Sequence, residues 1–250
     1  MTKTLAGQAA LVTGASRGIG RAIATRLAQD GAEVLVHYGN ARDEADTLVR
    51  QISEQGGRAN AIQAELSTAE GAEKLGAATV KQLGGRKLDI LVNNAGVAEF
   101  VPFAGSNAAV LDRQYAVNVR APFLLTRALA DHLGDNARVV FLSSLVADNY
   151  FAGIPAYSLT KGAVNTLVQH LAAEWGNRGI RVNAVAPGVI DTDMSDWVRS
   201  DEGAQNALSM QALQRIGKPE DIANAVAFLV GPDSGWITGQ IIGASGGSKL

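Results

Sequence analysis

Short apolar runs alternate with longer segments of helical period along the chain. The runs are rich in β-branched residues, and each is followed by a stretch in which apolar residues recur at every third or fourth position. Such runs suit strands that are buried on both faces of a parallel sheet, with the intervening helices packed on its two sides. The candidate strands are residues 9–12, 33–38, 59–64, 89–93, 138–143, 181–186 and 240–242.

This alternation predicts an α/β fold with a doubly wound parallel sheet of seven strands and helices on both faces. The chain contains neither a repeat nor a linker rich in Gly, Pro and Ser, which favours a single domain over residues 1–250. Sheets of this kind bind ligands at the carboxyl ends of their strands. We therefore expect the functional residues directly after the strands.

Composition and charge exclude several other classes of protein. With 250 residues and 47% hydrophobic content the chain can bury a sizeable core, and its net charge of −2 indicates neither a nucleic-acid partner nor an anionic membrane surface. Cysteine is absent, so neither disulfides nor thiol chemistry are expected. His37, His132 and His170 are far apart in the sequence, so no metal site is predicted.

A cytoplasmic location is the expectation that follows from the same features. The opening residues lead directly into the first strand and leave no room for a cleavable signal. No apolar run approaches the ~18 residues that a membrane helix needs. We therefore expect a partner that is a small molecule, with neither a membrane nor a nucleic acid involved.

A glycine-rich turn connects the first strand to a helical segment. Gly14 can take backbone angles that a side chain would forbid, Gly18 lets the main chain approach a pyrophosphate, and Gly20 lets the helix pack on the strand. Free N–H groups and the positive end of the helix dipole would face the phosphates. The spacing G-x-x-x-G-x-G differs from the commoner G-x-G-x-x-G but works in the same way. The turn therefore predicts a dinucleotide site.

Tyr157 and Lys161 lie four residues apart in the segment AYSLTKGAV, which has a helical pattern. This spacing places them on one face of a helix. A phenol with a pKa of about 10 exchanges protons poorly at neutral pH, but a nearby positive charge stabilises the phenolate and lowers that pKa. Taken alone, the pair also fits an exposed aromatic beside an exposed lysine. Beside a dinucleotide site, it is a candidate acid and base.

These motifs occur together with several others in one order along nearly the whole chain. They are TGASRGIG at 13–20, NNAG at 93–96, Asn118 in YAVNV, Ser144, Tyr157 with Lys161, PGVIDTDM at 187–194, and the ending RIGKPEDIANAVAFL with ITGQ. In this the chain resembles the short-chain dehydrogenase/reductase family, in particular the single-domain members that are similar to 3-oxoacyl-[acyl-carrier-protein] reductase. The resemblance implies a Rossmann fold and hydride transfer between a nicotinamide cofactor and a carbonyl or alcohol carbon.

The resemblance also implies four catalytic residues. Tyr157 would protonate the carbonyl oxygen in reduction, and Lys161 would lower the pKa of that phenol and bind the nicotinamide ribose. Ser144 would hold the substrate oxygen, and Asn118 would support the lysine through a water-linked proton path. Two alternatives stay open here. Ser143 could replace Ser144, although neighbouring residues of a strand point to opposite faces, and Asn118 could be an ordinary helix-interior amide.

The same comparison with the family implies a set of cofactor-binding positions. One of these positions departs from the family pattern, because Glu65 stands where an Asp is common. A second departure lies outside the set, where Ser245 stands in place of an Asp that often precedes paired glycines. The first departure leaves the adenine contact to a longer side chain or to the backbone. The predicted cofactor residues are Gly14, Ser16, Arg17, Gly18, Ile19, Gly20, Tyr38, Asn40, Arg42, Glu65, Leu66, Asn94, Ala95, Gly96, Tyr157, Lys161, Pro187, Gly188, Ile190 and Thr192.

Charge near the second strand favours NADP(H) over NAD(H). In NAD sites a carboxylate about 20 residues beyond the glycine motif accepts the ribose 2′-hydroxyl and repels a 2′-phosphate. Tyr38 occupies that place here, and Arg17 and Arg42 flank it with guanidinium groups suited to phosphate. Asp43 and Glu44 weaken the case, and the alternative is that both arginines are solvated surface charges.

The predicted substrate pocket is mixed, mostly apolar and partly aromatic. Its walls would be residues 97–103, 145–154 and 189–213, the last of which the family places over the substrate as a lid. This favours reduction of a ketone or a 3-oxoacyl compound. An NAD-linked alcohol or polyol dehydrogenase is the alternative, and a non-catalytic nucleotide-binding sensor is a remote one. Apolar residues in the helical stretches 110–132 and 156–175 exceed one stripe, which favours a homotetramer, with a dimer second.

Overall fold

The computed structural model describes residues 3–249 and contains a seven-stranded sheet in the order β3-β2-β1-β4-β5-β6-β7. All neighbouring strands pair in parallel, and the chain order reverses between β1 and β4. The predicted doubly wound α/β fold is therefore confirmed. The strands are β1 Ala9–Val12, β2 Glu33–Tyr38, β3 Arg58–Gln63, β4 Leu88–Asn93, β5 Leu133–Leu142, β6 Arg181–Pro187 and β7 Ile241–Ala244.

One strand begins well before its predicted position. β5 starts at Leu133 rather than at residue 138, because residues 134–136 are small or polar and carry no strand pattern. Asn136 has a φ of 63°, and the register with β4 shifts between Leu88 and Ile90, so the early part of the strand is irregular. The remaining strands agree with the prediction to within two residues.

Eight α-helices are found within residues 3–249, and one predicted long helix is interrupted. The stretch 110–132 contains two α-helices joined by a π-helical turn at Ala116–Arg120, because Pro122 has no N–H to continue the α-helical ladder. The helices are α1 Gly18–Gln29, α2 Arg42–Glu54, α3 Ala69–Leu83, α4 Ala108–Tyr115, α5 Ala121–Leu129, α6 Pro155–Trp175, α7 Asp201–Ser209 and α8 Pro219–Val230.

The core has two layers, one on each face of the sheet. Along β1, Ala10 and Val12 pack with α1, α2 and α8, whereas Ala9 and Leu11 pack with α3, α5 and α6. This alternation follows from the two-residue period of a strand and explains why each central strand is apolar throughout. None of the helices in residues 3–249 is long and apolar enough to cross a membrane. The carboxyl ends of the strands lie at one edge of the sheet between these two layers, where a ligand site is expected.

Candidate active site

The glycine loop, residues 13–20, carries β1 into α1 beside the point where the strand order reverses. Gly14 and Gly18 have φ values of 62° and 54°, a left-handed conformation that side chains disfavour. A Cβ on Gly14 would stand 3.0 Å from the Cα of Ala95, so the loop packs directly on the chain that follows β4. The loop therefore needs glycine at both positions.

Asn94 fastens the glycine loop to the end of β4. Its Nδ2 donates to the carbonyl oxygens of Thr13 and Gly14 at 2.8 and 3.1 Å. The Thr13 hydroxyl accepts from the backbone N–H groups of Asn94 and Ala95, at 2.9 Å each. A Cβ on Gly20 would collide with the Gly14 oxygen and the Asn94 amide. The sequence analysis assigned Gly20 to packing of the helix on the strand. In the structure, the absence of a side chain at Gly20 also leaves space for the hydrogen bond between Asn94 and Gly14.

The amino terminus of α1 presents unused donors. Within residues 3–249, the backbone N–H groups of Arg17, Gly18 and Ile19 have no hydrogen-bond acceptor. Such groups, together with the helix dipole, form a binding site for a phosphate. Ser16 is buried, and its carbonyl oxygen accepts from the Arg21 side chain, which joins the loop to the first turn of α1. The loop can therefore hold a pyrophosphate through its backbone.

Ser144 and Tyr157 lie near each other although they belong to different elements of the fold. Ser144 follows β5 and begins a 3-10 turn, where its Oγ accepts from the N–H of Val146 at 3.4 Å. Pro155 begins α6, and Tyr157 follows in the first turn. The Ser144 hydroxyl lies near enough to the Tyr157 phenol to lower its pKa. Two elements that are separate in the fold thus place a serine and a phenol at one point.

Lys161 lies one turn after Tyr157 on α6 and is buried. Its Nζ donates to the carbonyl oxygen of Leu142 at 2.7 Å and stands 5.5 Å from the centre of the Tyr157 ring. Burial lowers the pKa of Lys161 to about 8. Burial also raises the pKa of Tyr157 to about 12, and the Ser144 hydroxyl opposes that rise by a smaller amount. The sequence analysis predicted that Lys161 lowers the pKa of the phenol. In this structure, burial has the largest effect on the pKa of both residues.

Asn118 lies within the π-helical turn and binds the chain that follows β4. Its Oδ1 accepts from the N–H of Val97 and its Nδ2 donates to the Val97 oxygen, both at 2.8 Å, while Nδ2 also donates to the Thr160 hydroxyl at 3.0 Å. Within residues 3–249 this side chain makes no hydrogen bond to Lys161. Because Pro122 stands four residues on and has no N–H, the Asn118 carbonyl cannot accept the usual α-helical hydrogen bond.

Ser143, the alternative to Ser144, is hydrogen-bonded to α6. The Ser143 hydroxyl donates to the Oδ1 of Asn165 at 2.6 Å, and the Asn165 amide donates to Asp148 at 3.4 Å. This chain of bonds holds the segment after β5 against α6. We call Asn118, Ser144, Tyr157 and Lys161 the catalytic corner. Ser144 and Lys161 lie near the Tyr157 phenol, whereas Asn118 binds Val97 and Thr160.

A second group, at the end of β2, is much more exposed. The Tyr38 hydroxyl is buried and accepts from the Nε of Arg42 at 3.2 Å, while Arg42 and Asn40 lie on the surface. This bond raises the pKa of Arg42, and nearby Asp46 and Asp43 add smaller contributions. We call Arg17, Tyr38, Asn40 and Arg42 the phosphate corner.

Arg17 is paired with the segment after β6. Its Nη1 lies 3.7 Å from the Oδ2 of Asp193, and both side chains are mostly exposed. Asp193 also lies 3.5 Å from Arg199, which binds Asp191 at 2.9 Å. The methyl group of Thr192 would stand 3.5 Å from a Cβ on Gly18. The glycine loop and the predicted lid are therefore adjacent, and Arg17 faces a carboxylate.

The two departures from the family pattern have structural consequences. The Glu65 carboxylate is exposed and accepts from the N–H of Ser67 at 2.9 Å, a bond that lowers the pKa of Glu65. Ser245 accepts from the N–H of Ser248 at 3.3 Å and so fastens the last turn of the described chain. A Cβ on Gly188 would stand 2.8 Å from the Ser245 backbone, so these segments pack closely.

The remaining predicted positions lie around the same edge of the sheet. Gly96 stands close to the catalytic corner, because a Cβ there would be 3.6 Å from the Nζ of Lys161 and 3.3 Å from the Oδ1 of Asn118. Pro187 ends β6, and Ile190 is buried beside Gly217. Leu66 is buried after β3. Among residues 3–249, no group of three His, Asp or Glu could hold a metal ion.

The predicted pocket walls carry exposed aromatic and apolar side chains. Phe100 and Phe103 are 59% and 84% exposed, and Tyr150, in the second predicted wall segment, is 83% exposed. Met194 belongs to the residue 189–213 segment, which forms a 3-10 stretch at Asp193–Arg199 and then α7. Apolar groups in such numbers beside polar catalytic groups are typical of a site for a hydrophobic ligand.

Sequence reasoning missed two supporting residues. Thr13 joins the glycine loop to β4, and Gln114 is fully buried on α4, where its Oε1 accepts from the N–H of Glu99 at 3.3 Å. Gln114 lies one turn before Asn118, and both bind the segment that forms a pocket wall. The spacing of two amides four residues apart in an apolar helix was the available signal for Gln114.

A family model described as enoyl-(acyl carrier protein) reductase matches residues 14–249. Elsinochrome reductase 1 of Elsinoe fawcettii is 38% identical over 263 residues, covering 100% of this chain and 97% of its own length.

Two solved structures have the same fold. A short-chain dehydrogenase from Burkholderia cenocepacia in complex with NADP is 39% identical, with a TM-score of 0.93 and coverage of 99% of this chain and 100% of the other. The angucycline C-6 ketoreductase LanV with bound NADP is 37% identical, with a TM-score of 0.95 and coverage of 100% and 98%. These similarities extend over the full α/β sheet and the site at its carboxyl edge.

Proposed function

The chain belongs to the short-chain dehydrogenase/reductase family, and we propose that it reduces a ketone with NADPH through the catalytic corner. The observation that carries this proposal is the meeting of Ser144, Tyr157 and Lys161 at the edge of the sheet that also holds the glycine loop. A protein that only senses a nucleotide has no chemical use for that combination.

The residues of the glycine loop fit a dinucleotide. Free backbone donors at Arg17, Gly18 and Ile19 suit the pyrophosphate, and the lack of a side chain at Gly96 leaves the backbone open beside Lys161. Pro187, Ile190 and Thr192 would line the nicotinamide end. When bound, NADPH supplies the hydride.

The chain's own residues supply the proton and the orientation. The Tyr157 phenol gives its proton to the carbonyl oxygen as the carbon receives the hydride, so that the ketone becomes a secondary alcohol. The Ser144 hydroxyl donates a hydrogen bond to the same oxygen and fixes its place beside the phenol. Burial keeps Tyr157 protonated at neutral pH, so it carries a proton to give, and the positive charge of Lys161 would favour its release. The Lys161 ammonium would stabilise the phenolate that remains, and the Asn118 carbonyl would connect it to a proton path.

Preference for NADP(H) over NAD(H) follows from the phosphate corner. Tyr38 stands where a carboxylate would repel a 2′-phosphate, and it holds the guanidinium of Arg42 at the end of β2. The Burkholderia and LanV structures contain NADP, which supports the same assignment for this chain. Glu65 is turned toward Ser67, so Leu66 and the backbone would contact the adenine.

A hydrophobic ketone is the substrate class that the pocket walls support best. The experiment is to follow NADPH and NADH oxidation with a panel of aromatic ketones, 3-oxoacyl thioesters, steroids and sugars. We expect turnover of one or more apolar ketones, with kcat/KM higher for NADPH than for NADH. Turnover restricted to polyols and NAD would contradict the proposal and would support the alternative of an NAD-linked dehydrogenase.

A lid, an oligomeric state and a cellular location belong to the same proposal. We propose that residues 189–213 close over the substrate as a lid within one domain, because Thr192 and Asp193 lie against the glycine loop. A homotetramer is supported by exposed apolar residues on α4, α5 and α6, among them Tyr115, Phe123 and Leu159, and light scattering would measure it. A cytoplasmic location remains a prediction, which localisation of a tagged chain would test.

A further inference from the structure

His37 is a buried imidazole that the proposed reaction does not use. It lies near the end of β2 and is 2% exposed. β2 is flanked by β1 and β3, so the glycine loop leaves the sheet on one side of the ring and the chain after β3 leaves it on the other. Both of these segments carry predicted cofactor residues.

The ring forms one hydrogen bond to each side. The Nδ1 accepts from the N–H of Gly14 at 3.0 Å, and the Nε2 lies 3.2 Å from the carbonyl oxygen of Ala64. A backbone N–H can only donate, so Nδ1 must be unprotonated. The proton of a neutral ring is then on Nε2, where it is donated to Ala64. Both contacts are satisfied by one tautomer and by no charged form of the ring.

Backbone bonds surround this bridge. The N–H of Ala15 donates to the carbonyl oxygen of His37 at 2.8 Å, and the N–H of Ala64 donates to that of Tyr38 at 3.1 Å. The imidazole therefore completes a connected set of bonds from the glycine loop through β2 to residue 64. Gly14 precedes the free donors of the loop, and Ala64 precedes Glu65 and Leu66.

We propose that His37 is a positioning residue, whose neutral ring sets the spacing between the glycine loop and residues 64–66 and thereby the affinity for the adenosine half of a dinucleotide. This inference rests on the proposed function, because it needs the dinucleotide to bind between these two segments. Burial lowers the pKa of His37 to about 4, with the Ala64 carbonyl and the charge of Glu65 opposing by smaller amounts, so the ring is neutral at neutral pH as the bonds require.

Three variants separate the two bonds. In His37→Leu both are lost while an apolar group of similar size fills the space. In His37→Asn the amide oxygen can take the place of Nδ1 and accept from Gly14 but cannot reach Ala64, whereas in His37→Gln the longer amide can reach Ala64. Thr79→Val is the matched control, because it removes another fully buried hydrogen bond, to Leu75 within α3, at a place remote from the loop.

The measurements are the Kd for NADPH, by fluorescence titration of the full chain, and kcat at saturating NADPH. For His37→Leu we expect the Kd to rise about tenfold or more, because the glycine loop and residues 64–66 are no longer held at one spacing, while kcat stays within about twofold. His37→Asn and His37→Gln should each recover part of the affinity. Thr79→Val should leave the Kd unchanged even if its melting temperature falls as far as that of His37→Leu.

The inference is overturned if His37→Leu binds NADPH as tightly as the wild type, or if Thr79→Val weakens binding equally. Should His37→Leu fail to fold, unchanged affinity in both amide variants would overturn it, and a Kd raised in either would support it. A wild-type chain that binds no NADPH would instead refute the proposed function, so the two failures are distinguishable.

Discussion

The catalytic corner and the phosphate corner lie on the same edge of the sheet but are built differently. Lys161 and Asn118 are buried and hydrogen-bonded to backbone from other elements, and Ser144 lies near the phenol of Tyr157. In the phosphate corner both arginines are exposed, and the side chain of Arg17 is 72% exposed. Buried bonds fix geometry, whereas exposed charges are screened by water and salt. The chemistry should therefore be harder to change than the choice of cofactor.

The first way to test this contrast is Tyr157→Phe, which removes one oxygen from the catalytic corner. We expect kcat to fall by about 10²–10⁴-fold, because the proton donor is lost, while the Kd for NADPH changes little. Tyr115→Phe, which removes an exposed hydroxyl on α4, is the control and should keep full activity. Near-normal turnover by Tyr157→Phe would refute the role assigned to the phenol.

Acid should weaken the buried framework through His37. Its pKa is about 4 in the folded chain against 6.5 when exposed, so the unfolded chain binds the proton more readily between these pH values. Stability should therefore fall as the pH decreases from 6.5 to about 4, by about 3 kcal/mol in total. Urea unfolding at several pH values would measure this. In His37→Gln the contribution should disappear, and an unchanged slope in that variant would assign the acid sensitivity elsewhere.

The same contrast explains what the sequence could predict. The strands, the glycine turn and the spacing of Tyr157 and Lys161 depend on neighbours within a few residues, so their patterns are visible along the chain. The bonds of His37 join residues 23 and 27 positions away, and such pairings depend on strand order. The pairing of Arg17 with Asp193 depends on the whole fold. The raised pKa of Tyr157 was missed because burial, unlike spacing, cannot be read from a helix pattern.

The phosphate corner should respond more weakly and only toward one cofactor. Arg42→Met removes the guanidinium that Tyr38 holds and keeps the length of the side chain. We expect the KM for NADPH to rise about tenfold, with the KM for NADH and kcat almost unchanged, because an exposed charge contributes modestly to phosphate binding. Arg50→Met, which removes another exposed arginine of α2, is the control. An equal loss with both cofactors would show that Arg42 does not contact the 2′-phosphate.

The smallest effect is expected at the ion pair that joins the two regions. Asp193 competes with a 2′-phosphate for Arg17, so Asp193→Asn should lower the KM for NADPH by no more than about threefold and leave the KM for NADH unchanged. The difference should shrink in ~1 M salt, where the Debye length of ~3 Å is shorter than the distance between the paired groups. Asp196→Asn, in the same segment but without an ion pair among residues 3–249, is the control. A rise in the KM for NADPH would mean that Asp193 orders Arg17 for the phosphate rather than competing for it.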